Sequence, residues 1–256
     1  MPTQSNPIKI TGESGFWERF RLDCAMLTAA GKGRASNGDA CLFAGPGSPE
    51  AEAAAAGYLF AVVDGVSVGG NGPAAARETR SSLLEILEDP RVLTLRPDLL
   101  LYRLQDANFR CHRFIEGRCA ASVVWIWEET DSSSLVAAWA HVGDTRLYHH
   151  GPNGWSRLTR DHAKGPLLDR AIGQGPGLEV DTGQRRLSSE DRLVLLSDGV
   201  WRNTPPGSVL QGEPFPTTAE CVRRLVGTAR LQGSRDDTSA VLITVRTIDA
   251  DPEPEH

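Results

Sequence analysis

Eight stretches of this chain are apolar, β-branched or aromatic, and each is bounded by Gly, Asp, Ser or Pro: RLDCAMLT, DACLFA, GYLFAVVD, SVVWIW, LVAAWAHVGD, TRLYHH, DRLVLLSD and TSAVLITV. Their length and their bounding residues predict strands. Two longer stretches carry the helical period instead. From Pro73 to Glu88 the spacing puts Ala76, Leu83, Leu84 and Leu87 on one face. From Pro97 to Ile115, steps of four and three align Leu100, Leu104, Ala107, Cys111 and Phe114, with Pro97 suited to the first turn. A weaker helical pattern spans Thr218 to Leu231.

The order is strands, two helices together, many strands, one helix and a last strand. Regular βαβα alternation is missing, so a parallel doubly wound sheet is disfavoured. Antiparallel sheets with helices packed outside fit better, which is an α+β class. No internal repeat is visible. The stretch AGPGSPEAEAAAAG reads as a loop too short to link domains, and the acidic tail DADPEPEH reads as loose. One domain over residues 10–248 is expected, with loose termini at 1–9 and 249–256.

Composition narrows the function. The 256 residues are 40% hydrophobic and 23% charged, ordinary for a globular protein with a sizeable core. The net charge of −6 supplies no positive field for nucleic acid, and the basic residues are scattered. No apolar run approaches the roughly 18 residues of a membrane helix, and MPTQSNPIKITGESGFWERF lacks the apolar region of a signal peptide. A cytoplasmic protein with no membrane or nucleic-acid partner is expected. Cys24, Cys41, Cys111, Cys119 and Cys221 are widely spaced without a C-x-x-C, so reduced, buried thiols are expected rather than zinc or disulfides.

The chemistry lies where aspartates meet strand ends. Asp64 closes LFAVVD, Asp144 closes AAWAHVGD and Asp198 closes LVLLSD. Asp39 precedes a strand in RASNGDACLF, and Asp236 and Asp237 precede one in GSRDDTSAVLITV. Glycine adjoins three of these, as Asp64-Gly65, Gly143-Asp144 and Asp198-Gly199. One such aspartate is an ordinary turn residue. Several gathered at one rim would repel each other unless a cation sat among them. Oxygen-only ligands suit Mg²⁺ or Mn²⁺, and a glycine carbonyl can join them.

The ordered pieces RASNGD, FAVVDGVSVGGNG, AHVGDTRLY, LTRDH, LVLLSDGVW and GSRDDTSAVLI resemble the metal-dependent Ser/Thr protein phosphatases of type 2C, in their bacterial branch. The resemblance runs from about Leu22 to Val245. It implies a four-layer αββα sandwich, with two stacked antiparallel sheets flanked by helix pairs. It implies two Mg²⁺ or Mn²⁺ ions and a third, more weakly held. Asp64 matches the carboxylate that bridges the two metals, Gly65 the carbonyl ligand of the second, and Asp198 and Asp236 the remaining ligands of the first. Asp144 matches a ligand of the third metal, shared with Asp198. Asp39 matches a carboxylate bonded to metal-bound water, and Arg34 the arginine that grips phosphate. His162 matches a structural position. His141 reads as a core or rim residue, and His149 and His150 as surface residues.

The activity so implied is hydrolysis of phosphoserine and phosphothreonine on proteins by a metal-activated water, without a covalent phosphoenzyme. Phosphorylated proteins are the implied partners, a cognate Ser/Thr kinase is a candidate partner, and a monomer is expected. The pattern also departs from the family. Gly38 stands where Glu is common, and Asp237, expected to support its loop, stands where Asn is usual. Val66 occupies the place where some members carry His. The segment between Asp161 and Asp198 is short, so a reduced flap is expected. These departures motivate an alternative: an inactive domain that binds phosphoproteins or partners. An aspartyl-nucleophile phosphatase would want a second Asp at position 66 and is disfavoured.

Overall fold

A computed structural model describes residues 20–45, 57–67, 70–89, 91–92, 96–129, 134–165, 167–210 and 217–247. The expected loose termini and the interior of the alanine-rich loop lie outside them.

Among the described residues, two five-stranded sheets stack. One runs β1 (Phe20–Ala29), β12 (Thr238–Thr247), β11 (Arg192–Leu196), β6 (Arg146–Gly151), β7 (Gly154–Arg157). The other runs β10 (Asp181–Leu187), β5 (Ser134–Val142), β4 (Cys119–Glu129), β3 (Tyr58–Gly65), β2 (Ala40–Ala44). Every pairing in both is antiparallel. A hairpin of β8 (Ala163–Lys164) and β9 (Leu167–Leu168) stands apart.

Side-chain alternation explains the layering. Along β3, Tyr58, Phe60 and Val62 face the other sheet, while Leu59, Ala61 and Val63 face outward to helices. Both faces are apolar, so the strand reads as a continuous hydrophobic run. The inter-sheet layer includes Leu22, Phe43, Val124, Leu195 and Ile243. Phe43 stacks on Phe60 with ring centroids 5.2 Å apart. Each such buried side chain contributes roughly 2 kcal/mol of transfer free energy.

Helices cover the outer faces. α1 (Gly72–Glu88) and α2 (Asp98–Arg110) pack on β2–β5 through Ala75, Leu83, Ile86, Leu100 and Leu104. On the other sheet lies α5 (Thr218–Leu231), with two one-turn helices, α3 (Asp198–Trp201) and α4 (Pro206–Val209). The expected four-layer α+β arrangement is present. The helix pair is complete on one side, while the other carries one long helix.

Three local expectations need correction. Pro97 stands just before α2 rather than in its first turn. After Arg110 the helix widens into a π turn, Cys111–Ile115. The extra residue of that turn rotates its side chains about the helix axis, so Phe114 leaves the apolar face and is 71% exposed, edge-on to Phe109. His149 is buried rather than on the surface, with Nε2 3.2 Å from Asp191 Oδ2. All five cysteines are free and buried, as expected.

Candidate metal centre

Strand register brings the aspartates to one end of the sandwich. Asp64 pairs with Ala120 on β4, and Ala121 pairs with Val142 on β5, which sets Gly143 and Asp144 just past the same rim. On the facing sheet, Leu196 pairs with Ala240 on β12, so Asp198 leaves β11 near Asp236 and Asp237, which lead into β12. Asp64 continues the inward-facing set Tyr58, Phe60 and Val62 and therefore points between the sheets. Behind it the interior turns polar: Ser122 Oγ lies 3.0 Å from His141 Nδ1 and 2.9 Å from Thr145 Oγ1. The core thus grades from apolar to hydroxyl to carboxylate.

Asp64, Gly65, Asp144, Asp198 and Asp236 line one cavity of about 410 Å³, together with Val66, Ser67, Arg118, Arg202 and the hairpin residues Leu167 and Leu168. Arg34 and Asp237 line a second hollow, which shares Gly65 and Ser67 with the first. Asp39 lines neither. Its Oδ2 accepts from Ser239 Oγ at 2.7 Å, behind the cavity. Position 65 admits only glycine, because a Cβ there would lie 2.6 Å from the carbonyl oxygens of both Gly38 and Gly72.

The charges interact strongly. Burial, then the charges of Asp39, Asp198, Asp144 and Asp236, hold the Asp64 carboxyl well above the ordinary range. Asp198 is pushed up to about 6 by burial and by Asp144 and Asp236, against the pull of Arg202. Asp39 rises to about 7, chiefly through burial. Asp144 is raised by burial and opposed by Arg202. Acids so arranged keep protons, and a divalent cation relieves the same repulsion.

Two arginines supply part of the compensation. Arg202 Nη2 lies 3.0 Å from Asp144 Oδ2 and 3.2 Å from Asp198 Oδ2. Arg34 Nη2 lies 2.5 Å from Asp236 Oδ1, and its Nη1 lies 2.8 Å from Asp237 Oδ2. Among the described residues, no three His, Cys, Asp or Glu side chains stand close enough together to grip an ion. The donor set fits a hard divalent cation: carboxylates and a glycine carbonyl line the cavity, and no thiolate or imidazole does.

Other residues hold the frame. Asp237 is buried and accepts from Gly31 N at 2.6 Å and Gly38 N at 2.8 Å. His162 fixes the Gly143 turn: its backbone N–H donates to Gly143 O at 2.7 Å, and its Nδ1 accepts from Gly143 N at 3.2 Å. With Nδ1 accepting, Nε2 carries the proton toward Asp181 Oδ2 at 2.9 Å. Sequence reasoning missed Arg202 and Arg118. Arg202 had a readable signal, since it stands four residues after Asp198 within a helical turn.

No family model and no curated protein sequence matches the chain. Solved structures do. The PPM Ser-Thr phosphatase MsPP from Mycobacterium smegmatis, in complex with cacodylate, is 25% identical over 87% of this chain and 97% of that one, with a TM-score of 0.68. The catalytic domain of the serine/threonine protein phosphatase PstP, in complex with two manganese ions, is 22% identical over 89% and 99%, with a TM-score of 0.70. PppA, a regulatory component of T6SS in Pseudomonas aeruginosa, is 22% identical over 89% and 98%, with a TM-score of 0.69. The two stacked sheets and their covering helices are therefore those of the PPM-type Ser/Thr phosphatase fold.

Proposed function

We propose that residues 10–248 form one metal-dependent phosphatase unit that hydrolyses phosphoserine and phosphothreonine on proteins. One observation carries this reading: Asp64, Asp144, Asp198, Asp236 and Gly65 share a cavity at the rim of a PPM-type fold. PstP with its two manganese ions supports the same cofactor class here.

Asp64, Asp198, Asp236 and the Gly65 carbonyl would hold two Mg²⁺ or Mn²⁺ ions, with Asp144 and Asp198 available to a third. When bound, such ions acidify a water and offset phosphoryl charge. The chain's own residues do the rest. Asp39, held by Ser239, would accept a hydrogen bond from a metal-bound water. Asp236 cannot serve Arg34 and a cation with the same lone pairs. Were Asp236 Oδ1 to ligate a cation, the Nη2 end of the Arg34 fork would be available to phosphoryl oxygens, while Asp237 keeps the other end in place. Val66 has no proton to give, so the leaving alkoxide takes its proton from solvent at the site.

Phosphorylated proteins are the substrates and a Ser/Thr kinase is the natural counterpart. Among the described residues, no helix is long and apolar enough to cross a membrane. The test is hydrolysis of a phosphothreonine peptide and of para-nitrophenyl phosphate, with Mn²⁺ and with chelator. Turnover that needs the metal and is lost in Asp64→Asn, with the fold intact, is the expected result. Metal-independent turnover, or near-normal turnover in Asp64→Asn, would refute the assignment.

A further inference from the structure

The carboxylate cavity holds two arginines, and they differ. Arg202 is engaged by Asp144 and Asp198. Arg118 is half-buried on the cavity wall, and its guanidinium makes no hydrogen bond or ion pair with any described residue. A guanidinium on a cavity wall that no described protein group engages is available to an anion entering the cavity.

Its backbone is fixed. Arg118 O accepts from Val66 N at 2.9 Å, tying the position to the loop after Asp64 and Gly65. Next to it, Cys119 exchanges two backbone hydrogen bonds with Ile172, at 3.0 and 2.9 Å. Cys119 also pairs with Gly65 across β3 and β4. The side chain therefore leaves a ledge braced on two sides, beside Ser67. Arg34, the other candidate, lines the neighbouring hollow and has both ends of its fork on Asp236 and Asp237.

We propose that Arg118 is a substrate-binding residue that takes the phosphoryl oxygens of the phosphorylated side chain in the carboxylate cavity. This rests on the phosphatase reading, because a phosphomonoester is the anion which that reading brings into the cavity. A planar fork meets two phosphoryl oxygens at once. Arg118 thus binds the group as it enters the carboxylate cavity.

The test compares wild type, Arg118→Ala and Arg118→Lys with Mn²⁺ present. In Arg118→Ala, the Michaelis constant for para-nitrophenyl phosphate and the inhibition constant for inorganic phosphate each rise about tenfold, as loss of one charge-assisted contact would give. The turnover number changes less. Arg118→Lys recovers part of the loss, and calorimetric Mn²⁺ affinity and melting temperature stay at wild-type values. Active wild type with unchanged phosphate constants in Arg118→Ala overturns the proposal and leaves the phosphatase reading intact. A loss confined to phosphopeptides with acidic flanks also overturns it, since the contact would then be to a flanking carboxylate. If wild type shows no metal-dependent turnover, the phosphatase reading fails. Calorimetric titration of inorganic phosphate into both Mn²⁺-loaded proteins then decides for Arg118 alone, and equal affinity overturns its role.

Discussion

The Asp237 carboxylate occupies the space that a side chain at Gly38 would need. Its Oδ2 accepts the Gly38 N–H at 2.8 Å, and a Cβ built on Gly38 would stand 3.0 Å from that same oxygen. The type 2C pattern that the chain resembles has Glu commonly at position 38 and Asn usually at position 237. Here the negative charge stands on the opposite partner of one contact. The two departures that looked independent along the chain are neighbours in space.

This contact sets up a mutant cycle. Gly38→Glu alone should destabilise the protein by on the order of 2 kcal/mol, because it sets a second carboxylate against a buried one. In the Asp237→Asn background the same substitution should cost at least about 1 kcal/mol less. Urea unfolding of the four proteins in chelator measures the coupling. Additive costs would show that the contact does not link the two positions.

Asp39 sets a pH dependence. Its folded carboxyl is raised to about 7, chiefly by burial. The folded state then holds a proton that the unfolded chain releases. This contribution to stability is complete below about pH 4 and is lost as pH rises through about 7. His141, pushed down to about 4 by burial, slopes the other way at acid pH, so the comparison is between variants rather than along one curve. Asp39→Asn mimics the neutral acid. In metal-free buffer it should match wild type most closely near about pH 4 and exceed its stability by on the order of 4 kcal/mol near about pH 8. Equal stability at both values would show that Asp39 is not strained by its charge.

The α5 start offers a test of the frame alone. Thr217 Oγ1 accepts the Glu220 N–H at 3.2 Å, so Thr217 caps the helix that covers β12 and β1. Thr217→Ala should cost about 1 kcal/mol in unfolding without changing phosphatase turnover. A fall in turnover at unchanged stability would mean that this helix end is coupled to the rim.

The apolar strands were readable because both the inter-sheet and the helix-facing layers demand hydrophobic side chains, as in β2, β3, β11 and β12. β10 was not, because DTGQRRL carries no hydrophobic inward face until Leu187. It is an edge strand, and Gly183 leaves room for the Trp139 ring, which a Cβ there would meet at 2.3 Å. His149 was readable in principle, since it shares the period-two face of Leu147. The acidic strand ends were visible as separate signals, but their convergence depends on register between strands far apart in sequence. The same holds for the Arg202 contact with Asp144 and for the place of Arg118 on the cavity wall. No local pattern carries either.

The most direct measurement is a crystal structure grown in manganese, read by anomalous scattering. Two peaks are expected among Asp64, Asp198 and Asp236, with the Gly65 carbonyl turned toward one of them and Arg34 released from Asp236. Those side chains pointing to separate places, with no anomalous density between them, would contradict the metal centre and the chemistry built on it.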